Sequence, residues 1–131
     1  MPCMHRKVQM FINRQIAVVG SREFKDYEFL EHTLFSFIES DEDEIVSGGA
    51  IGVDSMAQRF CKEHGYDISI KYPKYRLYGK PATFIRNERI VAASDLVVAF
   101  YAKGRFRQGG TANSAEWARK LGKDLYEFEE A

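Results

Sequence analysis

Ile16-Ala17-Val18-Val19-Gly20-Ser21-Arg22 is a short, uninterrupted, mostly β-branched run that stops at a glycine. Consecutive apolar residues with no polar alternation suit a strand covered on both faces, as in a parallel sheet. Downstream, Tyr27, Leu30, Leu34, Phe37 and Ile38 recur at spacings of three and four, which predicts a helix to about Glu39. The pattern repeats with a strand over Glu44–Ser47, a glycine turn over Gly48–Gly52, and a helix whose inner face is Val53, Met56, Ala57, Phe60 and Cys61. Gly65 supplies the stop of that helix. A third strand is expected over Asp67–Tyr72, a loop over Pro73–Pro81, a helix over Ala82–Ala93 and a fourth strand over Asp95–Tyr101. A basic loop, Lys103–Gly110, leads to a last helix over Thr111–Leu121 and a short strand over Leu125–Phe128. Strands alternating with helices predict an α/β fold, a doubly wound, mainly parallel sheet of about five strands with helices on both faces.

The chain has 131 residues, 45% hydrophobic and 14% aromatic, with 29% charged. That is one domain's worth of core and too apolar for a disordered polymer. Residues 16–131 are expected to form the single domain, with residues 1–15 as an N-terminal arm or an extra strand. Nineteen Lys and Arg balance nineteen Asp and Glu, so wholesale attraction to a polyanion or an anionic membrane is absent and any anion binding must be local. No stretch approaches the ~20 apolar residues of a membrane span, and Arg14 and Gln15 interrupt any signal-like run, so a cytoplasmic protein is expected. Cys3 and Cys61 show no metal-ligand spacing; both are expected to be free thiols, Cys61 as core filler, and no metal is expected. His5, His32 and His64 form no ligand pair, and Trp117 and the tyrosines belong to core or interface.

In open parallel sheets the ligand crevice lies beyond the carboxyl ends of the strands. The loops that follow strands here carry Gly20-Ser21-Arg22, Gly48-Gly49-Ala50-Ile51-Gly52-Val53-Asp54 and Arg107-Gln108-Gly109-Gly110-Thr111, so three glycine clusters fall on one edge. Glycine lets a backbone N–H approach a phosphate, and a helix starting there adds unsatisfied donors and its positive end. Three helix N-termini are expected to converge on one crevice. Lys71, Lys74, Arg76 and Lys80, and Lys103, Arg105 and Arg107, lie on the same edge. The acidic run Glu39, Asp41, Glu42, Asp43 and Glu44 lies on the opposite edge and reads as a solvated helix end. Neither GxGxxG after the first strand nor GxxxxGK[ST] is present.

Those loops, with Arg86-Asn87 before the fourth strand, resemble the SLOG group of Rossmann-like proteins, most closely its YspA/YpsA-related branch. The resemblance spans Ile16 to Phe128 and implies a pocket for a nucleotide or nucleotide derivative, with no cofactor required. Two other branches imply sharper activities. LOG, or lysine-decarboxylase-like, phosphoribohydrolases cleave the N-glycosidic bond of a nucleoside monophosphate; they are matched by Arg86 and by a GGxGTxxE-like loop. That loop departs here: Gly109-Gly110 runs straight into Thr111, Glu116 lies five residues beyond it instead of three, and Ser114 takes the glutamate's place. Catalysis, if present, would then fall to Arg86 and Glu116. The DNA-processing protein DprA is resembled in Gly20-Ser21-Arg22 and Arg86-Asn87 and implies single-stranded DNA binding, for which Tyr72, Tyr75, Arg76, Tyr78 and Lys80 interleave aromatics with cations.

The resulting assignment gives phosphate contact to the backbone of Gly20, Ser21, Gly48, Gly49, Gly109, Gly110 and Thr111, with charge from Arg22 and Arg86. Asn87 and Asp54 orient base or ribose, and for Asp54 a helix-capping role stands equally open. The aromatic surface suggests a homodimer or homotetramer.

Overall fold

In the computed structural model, which describes residues 14–131, the opening apolar run becomes β1 (Gln15–Gly20), with Ile16, Ala17 and Val18 wholly buried. Alternate side chains of a strand leave on opposite faces. Ile16 and Val18 therefore join one core cluster, and Ala17 and Val19 the other. A strand buried on both sides belongs at the centre. β1 pairs in parallel with both β2 (Glu44–Ser47) and β4 (Leu96–Tyr101), while β3 (Asp67–Ile70) and β5 (Asp124–Glu129) close the two edges. The order is β3-β2-β1-β4-β5, all parallel, the doubly wound α/β sheet expected from sequence.

Helices α1 (Tyr27–Phe37) and α2 (Val53–His64) cover the Ile16 face through Leu30, Leu34, Val53, Ala57 and Phe60. On the Ala17 face, a one-turn helix α3 (Tyr75–Tyr78) precedes α4 (Ala82–Ala92) and α5 (Gly109–Lys120), which bring Ile90, Val91 and Ala118 to the core. Phe24 and Phe100 meet edge to face at 5.5 Å under the first helix. Cys61 is buried, and burial pushes its thiol up to about 12, so it packs and does not react. Trp117 packs against the second cluster. Cys3 and residues 1–13 of the expected arm lie outside the described residues, and Gln15 already belongs to β1.

Several boundaries move for identifiable reasons. α1 ends at Phe37 because Ile38 turns extended, and the loop behind it folds around Asp43. That residue is 2% exposed, and its carboxylate accepts the Glu39 N–H at 2.9 Å and those of Ser40 and Arg14 at 3.3 Å. The acidic run is thus not simply a solvated end; one member organises the turn. β3 stops at Ile70, two residues early, and the expected loop contains α3. α5 starts at Gly109 instead of Thr111. Among the described residues no helix is long and apolar enough to cross a membrane.

Candidate functional site

Crossovers leave β1 and β4 in opposite directions along the sheet, so the loops after these neighbouring strands part and open a crevice. A cleft of ≈ 620 Å³ lies there, walled by the loops after β1, β2 and β4 and by α4. It brings together Gly20, Ser21, Arg22, Gly48, Gly49, Asp54, Arg86, Asn87, Gly109, Gly110 and Thr111, the residues to which sequence assigned binding. Glu116 is not among them: it is exposed on α5, outside the lining, and Ser114 faces the cleft in its stead. The carboxylates on the wall are Asp54 and Glu23, the latter unmarked by any sequence motif.

The glycines divide into two kinds. A Cβ on Gly20 would lie 2.6 Å from the Phe100 carbonyl oxygen and 2.6 Å from Val53 Cβ, so Gly20 lets α2 close onto β1. Gly109 and Gly110 have open space where a Cβ would stand, apart from Asn87 Nδ2 at 4.0 Å from the latter. Ser21 is committed to the fold through its backbone, since its N–H donates to Phe100 O at 2.9 Å and its carbonyl accepts from Phe24 and Val53. Its hydroxyl accepts the Ala102 N–H at 3.0 Å and keeps its own hydrogen to donate. The expected phosphate contact through the Ser21 amide is corrected accordingly.

The expected convergence of three helix N-termini reduces to two, those of α2 and α5. Asp26 caps α1 by accepting the Phe29 N–H at 3.1 Å, and Glu130 takes the Lys25 and Asp26 amides at 2.9 Å each. In the first turn of α2, Val53 is buried with its N–H on Ser21 O at 3.4 Å, while Asp54 lines the cleft. Neither α2 nor α5 has a side-chain cap, but α2 carries the acid Asp54 in its first turn, whereas the N-cap residue of α5, Gln108, and its acid-free first turn, Gly109, Gly110 and Thr111, line the wall. First-turn amides have no intrahelical acceptor, so this turn offers the cleft backbone N–H donors.

Arg86 spans the floor. Its Nη1 donates to Gly48 O at 2.6 Å and its Nε to Asn87 Oδ1 at 2.9 Å, while Asn87 Nδ2 donates to Asn113 Oδ1 at 3.1 Å. Both residues therefore hold the fold as well as face the cleft. Asp54, 8% exposed, accepts the Ser47 hydroxyl at 3.1 Å and the Ala50 N–H at 2.9 Å. It ties the β2 turn, as an acid in the first turn of α2. Burial pushes its carboxyl above the ordinary value, and the Ala50 and Ser47 hydrogen bonds and the Arg86 charge only partly offset this.

That shift has a sign. Between 3.8 and the raised native value, the folded protein holds a proton on Asp54 that the unfolded chain has lost, so Asp54's contribution to stability falls as pH rises through this window. Asp54→Asn is expected to be less stable than the parent by about 1–3 kcal/mol, because an amide cannot fully replace the carboxylate's two acceptors. Melting curves from pH 3.5 to 7 should show the parent's margin over the variant shrinking as pH rises; a constant margin would refute the assignment.

A second hollow of ≈ 340 Å³, lined by Lys71, Tyr72, Lys74, Tyr78 and Arg89, shares Arg86 with the cleft. Tyr72, Tyr75 and Phe84 are well exposed beside it. Arg105 reaches the cleft wall, whereas Arg107 pairs with Glu127 at 3.1 Å and is not part of the lining.

A five-stranded parallel sheet with helices on both faces and a cleft beyond its strand ends at the switch point is a Rossmann-like α/β fold. The chain belongs to the DNA recombination-mediator protein A family, whose model matches residues 5–70. Of the branches that the sequence resembles, the DNA-processing one is thereby supported. The fold is similar to DNA processing protein A from Helicobacter pylori, a structure described for its single-stranded DNA binding mode, with 22% identity and a TM-score of 0.69 over 90% of this chain and 66% of that one. It is also similar to DprA from Streptococcus pneumoniae, with 21% identity and a TM-score of 0.71 over 95% of this chain and 53% of that one. The chain thus spans less than two thirds of the length of these structures. No curated protein matches.

Proposed function

We propose that this chain binds single-stranded DNA, with a phosphate at the first turn of α5 and the strand continuing past Arg86 into the second hollow. The observation that carries this reading is the shared Arg86: two hollows lined by cations meet at one guanidinium, and tyrosines stand along the second. Single strands are held in this way, by a cationic track with aromatic faces on which bases stack. Family membership and the likeness to a single-strand-binding structure support the same reading. Zero net charge does not oppose it, because local cations line both hollows, Arg22 and Arg105 in the first, Lys71, Lys74 and Arg89 in the second and Arg86 in both. A free nucleotide, the ligand that sequence put first, is the one-residue case of the same chemistry. Glycosidic cleavage finds less support: Glu116 is outside the cleft and Asp54 is occupied in holding a turn.

The test is fluorescence anisotropy with labelled dT oligomers of increasing length, against unlabelled thymidine monophosphate as competitor. Affinity should rise with length until both hollows are filled. Three to four neutralised phosphates give a log–log salt slope of about −2 to −3. Tyr72→Ala should cost about 1–3 kcal/mol and leave that slope unchanged. Monophosphate competing as well as the oligomers, or a slope near zero, would overturn the strand and leave a mononucleotide pocket.

A further inference from the structure

Among the described residues Arg107 is the only one other than glycine with a positive φ, at 59°. It immediately precedes Gln108 and Gly109, the latter also left-handed at φ 71°, so its backbone sets how the first turn of α5 meets the cleft. An L-residue resists this conformation because its Cβ crowds the following carbonyl. The restraint comes from a residue outside the cleft lining. Glu127 of β5 has a side chain 9% exposed, and its Oε1 accepts Arg107 Nη2 at 3.1 Å, Arg107 Nε at 3.3 Å and Arg119 Nη2 at 2.9 Å. Its Oε2 accepts the Tyr101 hydroxyl at 2.7 Å. Burial pushes the Glu127 carboxyl up, but the Tyr101 hydroxyl and the two guanidiniums outweigh it and hold the group below its ordinary range. One carboxylate thus joins the end of β4, the last turn of α5 and the loop between them.

We infer that Glu127 is a positioning residue for the anion-binding turn: through Arg107 it fixes the left-handed backbone that presents the first-turn amides of α5, without itself touching the ligand. The role rests on the single-strand reading for its biological meaning. It does not rest on that reading for its physical test.

Glycine occupies positive φ freely, so Arg107→Gly and Arg107→Ala in the full chain separate backbone from charge. Arg107→Gly should bind a dT oligomer within about threefold of the parent, whereas Arg107→Ala and Glu127→Gln should each weaken binding by about five- to tenfold. Adding Arg107→Gly to Glu127→Gln should recover most of that loss. In the absence of DNA, exchange of the Gln108 amide, held by Arg105 O at 3.0 Å, and of the hydrogen-bonded amides in the second turn of α5 should quicken in Arg107→Ala and Glu127→Gln and stay nearer the parent rate in Arg107→Gly. Equal weakening in both Arg107 variants, with a shallower salt slope, would make Arg107 a direct phosphate contact and overturn the inference. Unchanged exchange in Arg107→Ala would overturn it too. If the parent binds no oligomer, the function fails while the exchange pattern still decides the positioning role.

Discussion

Gly110→Asp is expected to eliminate tight binding of a dT oligomer while leaving the melting temperature unchanged or raised. The position tolerates a side chain: Gly110 does not need a left-handed backbone, and a Cβ there meets nothing closer than Asn87 Nδ2 at 4.0 Å. It is the second residue of α5, a helix with neither a side-chain cap nor an acidic residue in its first turn. A carboxylate there gains about 0.3–1 kcal/mol from the helix's positive end. On the single-strand reading the same carboxylate would stand beside the phosphate. Two like charges ~4 Å apart repel by about 4 kcal/mol at an effective dielectric constant near 20, so a loss of about 100-fold in affinity is a conservative expectation. Anisotropy and thermal melting on one preparation check both halves. Binding at the parent's affinity would show that the strand bypasses α5, and a lowered melting temperature would show that Gly110 is needed by the fold.

This separation of ligand from fold is what the sequence conveyed least well. The order of strands and loops fixes which edge each glycine cluster occupies, and β1's unbroken apolar run is explicit about its central place, so the location of the cleft was legible. The role of each glycine was not, because it depends on what a Cβ would strike, and those neighbours come from distant segments such as Phe100 against Gly20. Asp26 as a cap of α1 follows from residue type. That Glu130, more than a hundred residues away, fills the adjoining amides does not. Asp43 and Glu127 were invisible for the same reason: composition puts acids in solvent, and only tertiary contacts with Arg14, or with Tyr101, Arg107 and Arg119, bring them in. The sequence marks Arg86 as a ligand-facing charge and a candidate catalytic group, and the bond to Gly48 O adds a structural duty that no spacing announces. Glycine is a poor helix former, yet Gly109 and Gly110 enter α5 ahead of the expected start at Thr111, and the turn they form is left uncapped.

Gly20→Ala should be the counterpart of the Gly110 change, a single methyl group that costs the fold about 3 kcal/mol and lowers melting by about 10 °C or more. The added carbon would stand 2.6 Å from the Phe100 carbonyl oxygen, and that oxygen cannot retreat freely because it accepts the Ser21 N–H at 2.9 Å. On its other side Val53, wholly buried at the start of α2, would have to move with its helix. Relief therefore requires separating α2 from the β1–β4 pair, which opens the core around Ile16 and Val18. Gly110→Ala, by contrast, removes a helix penalty of about 1 kcal/mol and should melt at or above the parent temperature. Two glycines from loops on one edge are thus expected to respond to the same substitution with opposite signs. If Gly20→Ala melts with the parent, the close approach of α2 to β1 is wrong, and Gly20 returns to the ligand-facing role that its position in the loop first suggested.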